Sequence, residues 1–176
     1  SRPLIEGQAG LVIPRRDPEL FKAFYPRYMY ESEIVANRLA NKFLRRYGLM
    51  TENDTDLDLF FGPRVFSMST INLALEKYAI EDPKIIERNE FIDPEEYLNA
   101  IYFPIVSALF QKRKVASVTI PFKYPDTQRQ NEEIDSKDNI EKFKEYRRNQ
   151  RKGILLGMLE FVRYLKKQKS VITKED

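Results

Sequence analysis

Asp, Glu, Lys, Tyr, Ser and Thr must carry any acid, base or nucleophilic chemistry in this chain, because it has no cysteine and no histidine. Without those two residues a Cys/His zinc site cannot form. A cysteine nucleophile, a Ser-His-Asp triad, a thiolate-ligated iron–sulfur cluster and a disulfide are excluded as well. The usual proton shuttle near neutral pH is also missing. Among the carboxylates, Glu52, Asp54, Asp56 and Asp58 have the look of a calcium loop. An EF-hand loop needs glycine at its sixth position and glutamate at its twelfth. Counted from Asp54, those positions hold Leu59 and Val65, so the stretch reads as a solvated acidic connector or a patch for a basic partner. Glu95-Glu96 and Glu132-Glu133 are sequence neighbours, which on a helix point in different directions and cannot face each other across a substrate. None of the six glycines forms a phosphate-cradling loop. The expectation is therefore no catalytic residue, no cofactor and no metal, in a chain that is not an enzyme.

Cations offer contact chemistry instead. Lys and Arg number 30 against 27 Asp and Glu, a net +3 that argues weakly against a dedicated nucleic-acid binder. The excess is concentrated near the C-terminus, where Lys142, Lys144, Arg147, Arg148, Arg151, Lys152, Arg163, Lys166, Lys167 and Lys169 face only Glu141, Glu145 and Glu160. Such a helix suits an anionic membrane surface, RNA phosphates or an acidic protein face. Its second half is apolar, which phosphate contacts would not require, so a protein or membrane surface is favoured. Gly153 and Gly157 have the small-xxx-small spacing that lets helices approach closely. Near the N-terminus, Leu11 and Ile13 are apolar within a Gly- and Pro-broken arm that ends in Arg15-Arg16. A free tail would be more polar. The partner-contact candidates are Leu11, Ile13, Arg15, Arg16, Arg147, Arg148, Arg151, Gly153 and Gly157.

The elements that would position these groups read as mainly α. Four or five helices are joined by proline-marked turns, with an extended N-terminal arm, a long basic C-terminal helix and at most one short strand. The divisions are an arm at 1–16, a helical domain at 17–114, a connector at 115–139 and the basic helix at 140–176. Asp17-Pro18 is a cap followed by a first-turn proline, and Asp82-Pro83 and Asp93-Pro94 repeat it. A helix over about 30–47 carries Ile34, Val35, Leu39 and Phe43 as one stripe and ends at Gly48, where a left-handed residue is expected. A third helix starts near Ser67 or Ser69. Another runs through Tyr97 to Leu109 with Pro104 inside it. Val118, Ile120 and Phe122 alternate with polar residues as a short strand or an extended connector, and 123–139 reads as polar loop. No run of about 20 apolar residues exists to span a membrane. Ser1 in place of Met suggests a processed or trimmed chain, so any targeting peptide is out of view.

The middle of the chain resembles a known family. A basic helix ends in Phe43-Leu44-Arg45-Arg46-Tyr47-Gly48-Leu49-Met50, followed by the acidic stretch Glu52 to Asp58. Arg64-Val65-Phe66 then opens a helix ending near Lys77-Tyr78. An acidic, proline-bearing connector follows, with Tyr97-Leu98, Tyr102-Phe103-Pro104 and the charged end Gln111 to Lys114. Over about residues 39–114 this order is similar to that of the cytochrome bc1 subunit family often called the ubiquinone-binding protein. The chain departs from the family in lacking its Lys-His-x-x-Leu-Pro motif.

The resemblance implies a non-catalytic accessory subunit of respiratory complex III. It would be peripheral to the mitochondrial inner membrane on the matrix side, against cytochrome b and core-type subunits, with anionic lipid headgroups within reach. It implies no haem and no quinone site on this chain. The alternative is a mitochondrial ribosomal protein that contacts RNA through the basic helix and the Arg15-Arg16 arm. A third reading is an enzyme restricted to carboxylates, Lys and Tyr.

Overall fold

Leu, Val and Ile fit a pleated backbone, and the run Leu11-Val12-Ile13 forms the middle of a sheet in the computed structural model, which describes residues 2–70, 99–133 and 137–172. The described elements are α1 (Arg2–Ile5), β1 (Leu11–Arg16), α2 (Pro18–Phe24), α3 (Arg27–Arg46), β2 (Val65–Phe66), α4 (Asn99–Phe110), β3 (Val115–Ile120), α5 (Asp126–Glu133) and α6 (Lys137–Ile172). The strand order is β2-β1-β3. β2 is antiparallel to β1 at Leu11↔Phe66 and Val12↔Val65. β3 is parallel to β1 along its whole length, from Leu11↔Val115 to Arg16↔Ile120. Pro14 lies beyond the end of β2, where β1 has a strand neighbour on one side only, a position that tolerates a missing N–H.

The mainly-α expectation, with at most one short strand, is corrected by this sheet: among the described residues six helices and a three-stranded mixed sheet make the fold mixed α/β. The N-terminal arm is not extended throughout: Arg2–Ile5 form α1, and Leu11–Arg16 pair with this chain's own β3. β1 is buried on both faces, so it reads as a continuous apolar run without the alternation that marks a half-exposed strand. The segment expected to be polar loop contains the two-turn helix α5. The Asp82-Pro83 and Asp93-Pro94 signals and most of the third helix lie outside the described residues.

The core forms where α3, α4 and the second half of α6 meet the sheet. Leu11, Ile13, Leu44, Tyr102, Ile105, Val106, Met158, Phe161 and Val162 are almost wholly buried, and Phe103 stacks on Phe161 with ring centres 4.1 Å apart. A smaller aromatic cluster joins Phe21, Tyr25, Met29 and Tyr124 beneath α2. The inward face of α3 is Met29, Glu33, Ala36, Ala40, Asn41 and Leu44. This overturns the expected stripe, because Val35 and Leu39 are both more than half exposed. Ala36 and Ala40 are buried there, and Glu33 and Asn41 serve polar partners described below. Among the described residues, no helix is long and apolar enough to cross a membrane.

Two helices end in the same motif with different residues at its centre. After α3, Gly48 N–H donates to Arg45 O at 2.8 Å and Leu49 N–H to Leu44 O at 2.9 Å, with Gly48 at φ +69° as its sequence predicts. After α4, Lys112 N–H donates to Leu109 O at 3.0 Å and Arg113 N–H to Ala108 O at 2.9 Å, with Lys112 at φ +60°. Both are Schellman closures. A side chain in this left-handed conformation costs about 1 kcal/mol relative to glycine. Lys112→Gly should therefore raise stability by about 1 kcal/mol, read as a shift in the urea midpoint at unchanged slope. An unchanged or lower midpoint would contradict the account.

Candidate functional site

Four charged side chains, each between 3% and 8% exposed, meet where β1, α3, α6 and the loop before β2 converge. Arg16, at the end of β1, forks onto Asp58 with Nε–Oδ2 at 2.8 Å and Nη2–Oδ1 at 2.7 Å. Its Nη1 reaches Glu33 Oε2 on α3 at 2.6 Å. Glu33 Oε1 accepts from Arg151 Nη2 on α6 at 3.0 Å. The backbone N–H of Arg16 and the amide of Asn37 also donate to Asp58, at 3.2 and 2.8 Å. The guanidinium lies 3.7 Å above the Phe21 ring centre. Two buried cations meet two buried anions, and every carboxylate oxygen is occupied, which is the condition under which charges tolerate burial.

Neighbouring side chains complete the clasp. Asn41 grips the loop at both ends of its amide, donating to Leu57 O and accepting from Leu57 N, each at 2.8 Å. Asn37 Oδ1 accepts from Leu59 N at 2.7 Å. Burial disfavours charge on Arg16, but its hydrogen bonds with Asp58 and the negative charges of Glu33 and Asp58 prevail and hold it above its ordinary value. Burial pushes the Tyr25 phenol up, against the hydrogen bond from Arg16. Arg64 donates to the carbonyls of Leu59, Phe61 and Pro63. Burial pushes its value down to about 10, so it stays charged at pH 7.

The outer half of the acidic stretch is organised differently. Arg45 pairs with Asp56 at 2.6 Å and donates to the carbonyls of Thr51 and Asp54. Asp54 Oδ2 accepts from Thr51 N and Oγ1, and the backbone hydrogen bond leads in holding its carboxyl below the ordinary value. Thus Glu52, Asp54 and Asp56 are exposed as expected, whereas Asp58 is buried and corrects that reading. Among the described residues no cluster of Asp and Glu is arranged to hold a metal ion. All four carboxylate oxygens of Glu33 and Asp58 accept at least one hydrogen bond from within the chain. The arrangement clamps β1, α3, α6 and the loop before β2 together.

The contact candidates are distributed between this clamp, the core and the surface. Leu11 and Ile13 are fully buried in the core, and Arg16 and Arg151 belong to the clamp, so none of these four faces outward. Arg15 is half-buried and donates to Thr119 Oγ1 at 3.2 Å. Arg147 is half-buried, and Arg148 is exposed. Gly157 is buried, and among the described residues a Cβ at Gly153 would meet nothing within 4 Å, so no described helix crosses closely at Gly153. Glu33 and Asp58 were missed. The available signal was Glu33 itself, which shares the helical period of Met29, Ala36, Ala40 and Leu44.

Removing one member of the clamp strands a buried charge. Asp58→Ala should cost about 3–5 kcal/mol, whereas Arg16→Met with Asp58→Leu should cost much less than the sum of the single changes. A urea double-mutant cycle that returns simple additivity would refute the coupling. Asp54 gives a pH signature with a defined sign. Its carboxyl is depressed in the folded state, so its stabilising effect is present above the ordinary value of 3.8 and is lost as pH falls through the folded value. Asp54→Asn should flatten the acid limb of the stability–pH curve, and an unchanged limb would remove the assignment. Compared with known proteins, the chain matches no family model, no curated protein and no solved structure.

Proposed function

We propose that this chain is a non-catalytic subunit that packs into a larger assembly, with the N-terminal half of α6 as its principal contact. One observation carries the reading. Ile140, Phe143, Arg147, Gln150, Ile154, Met158, Phe161 and Leu165 follow one another at steps of three or four, a single stripe along one helix. From Ile154 onward the stripe is buried in the core, while before it Phe143 is 37% exposed and nearby Tyr146 is 59% exposed. An isolated helical segment of this length is marginal in water and takes its stability from packing. Exposed cations at Lys142, Lys144 and Arg148 flank the aromatics and suit an acidic partner face.

The clamp supports the same reading from the other side, because its charged groups are consumed internally. Complex III is the first assembly proposed, on the resemblance over residues 39–114, and the location is then peripheral on the matrix side of the mitochondrial inner membrane. RNA contact through the same exposed cations is the competing outcome of the test.

The protein isolated from its source should migrate on native electrophoresis in a band far larger than its own 20.9 kDa. Phe143→Ser combined with Tyr146→Ser should release it while leaving its circular dichroism unchanged, since the changes are remote from the core. Constant b- and c-type haem in that band supports complex III, and salt-sensitive co-sedimentation with a ribosomal subunit replaces it with the RNA reading. Migration of the native protein as a lone chain sinks both.

A further inference from the structure

We propose that the open edge of β3 receives an extended acidic segment of a partner chain, which adds to the sheet as a further strand beside β3. The inference deepens the subunit reading and rests on it, but it concerns a surface separate from α6.

β3 stands at the end of the strand order, and among the described residues its backbone hydrogen bonds run to β1 and, through Ile120 O, to Asp17 and Phe122. Alternate residues of a strand present N–H and C=O to each side, so the outer row is unpaired among the described residues. Parallel strands are normally covered, yet Val118 is 38% exposed and Thr119 is exposed. Natural edges are blunted by charges, prolines or bulges within the strand. Val115-Ala116-Ser117-Val118-Thr119-Ile120 has no charge and no proline, and its register with β1 is unbroken.

Charge identifies the occupant. Lys112, Arg113 and Lys114 lead directly into β3, are all exposed, and form no ion pair among the described residues. Lys123 follows the strand at its other end and is exposed as well. Lys112 holds its cation at a left-handed position where the matching motif has Gly48, so charge is kept there at the expense of stability. A cavity of about 540 Å³ opens at the start of the strand, between residues 112–117 and the loop from Gly48 to Leu57. On its far wall the Asp54 carboxylate is already held by Thr51. Main-chain bonds would supply the affinity of strand addition, and carboxylates against this basic entrance would set its direction and specificity.

The test uses the full chain and two fluorescent peptides, Glu-Val-Asp-Val-Glu-Val and Lys-Val-Lys-Val-Lys-Val. The acidic peptide should bind and slow amide exchange across Val115–Ile120, and Lys112→Glu with Lys114→Glu should weaken it about tenfold or more. Lys112→Gly should weaken binding while the protein becomes more stable, which separates lost contact from lost fold. Failure of the acidic peptide to bind, equal binding of the basic peptide, protection confined to other segments, or indifference to charge reversal would each overturn the proposal. These outcomes leave the native-electrophoresis result untouched, so the strand proposal can fail while the subunit reading stands.

Discussion

The Arg16 guanidinium is the point on which the tertiary arrangement turns. It links the end of the central strand to α3 through Glu33 and to the preceding loop of β2 through Asp58, while Glu33 passes the link to α6 through Arg151. An apolar side chain at position 16 would pack against Phe21 without choosing a partner. A fork of donors pairs with a carboxylate only at set distances and angles. The clamp therefore fixes which loop lies against which helix, a matter of specificity more than of net stabilisation. Asn37 and Asn41 extend this logic by gripping the backbone of the same loop.

Legibility in the sequence followed how local each signal was. Asp17 caps α2 as its pairing with Pro18 implied, accepting from Glu19 and Leu20. Gly48 takes the left-handed closure, and the last helix occupies nearly its expected span. β1 was misjudged because its partner strand is far away in the chain and two-sided burial erases alternation. α3 was misjudged because its inward face mixes alanine with Glu33 and Asn41, so apolar spacing pointed to the exposed Val35 and Leu39. Of the contact candidates, Arg148 is at the surface and Arg16 and Arg151 are internal. A charged residue carries no mark of whether its partner lies in the same chain until the fold brings one to it.

The two ends of α6 meet different surroundings. Its C-terminal half supplies Met158, Phe161 and Val162 to the core, and the same stripe continues outward with Phe143. Because the helix is continuous, its outer half is positioned by the packing of the inner half. Rigidity inherited from the core would lower the entropy lost in the contact proposed for that outer half.

The parallel pairing of β1 with β3 also sets an order of events during synthesis. Ile13 and Ser117, joined across the pair, are 104 residues apart. At typical elongation rates the central strand leaves the ribosome roughly 5–20 s before its neighbour. Throughout that interval Leu11, Val12 and Ile13, almost wholly buried in the finished molecule, are without their cover. Completion of the sheet around the N-terminal segment is thus tied to the arrival of residues 115–120, about a hundred residues later in the chain.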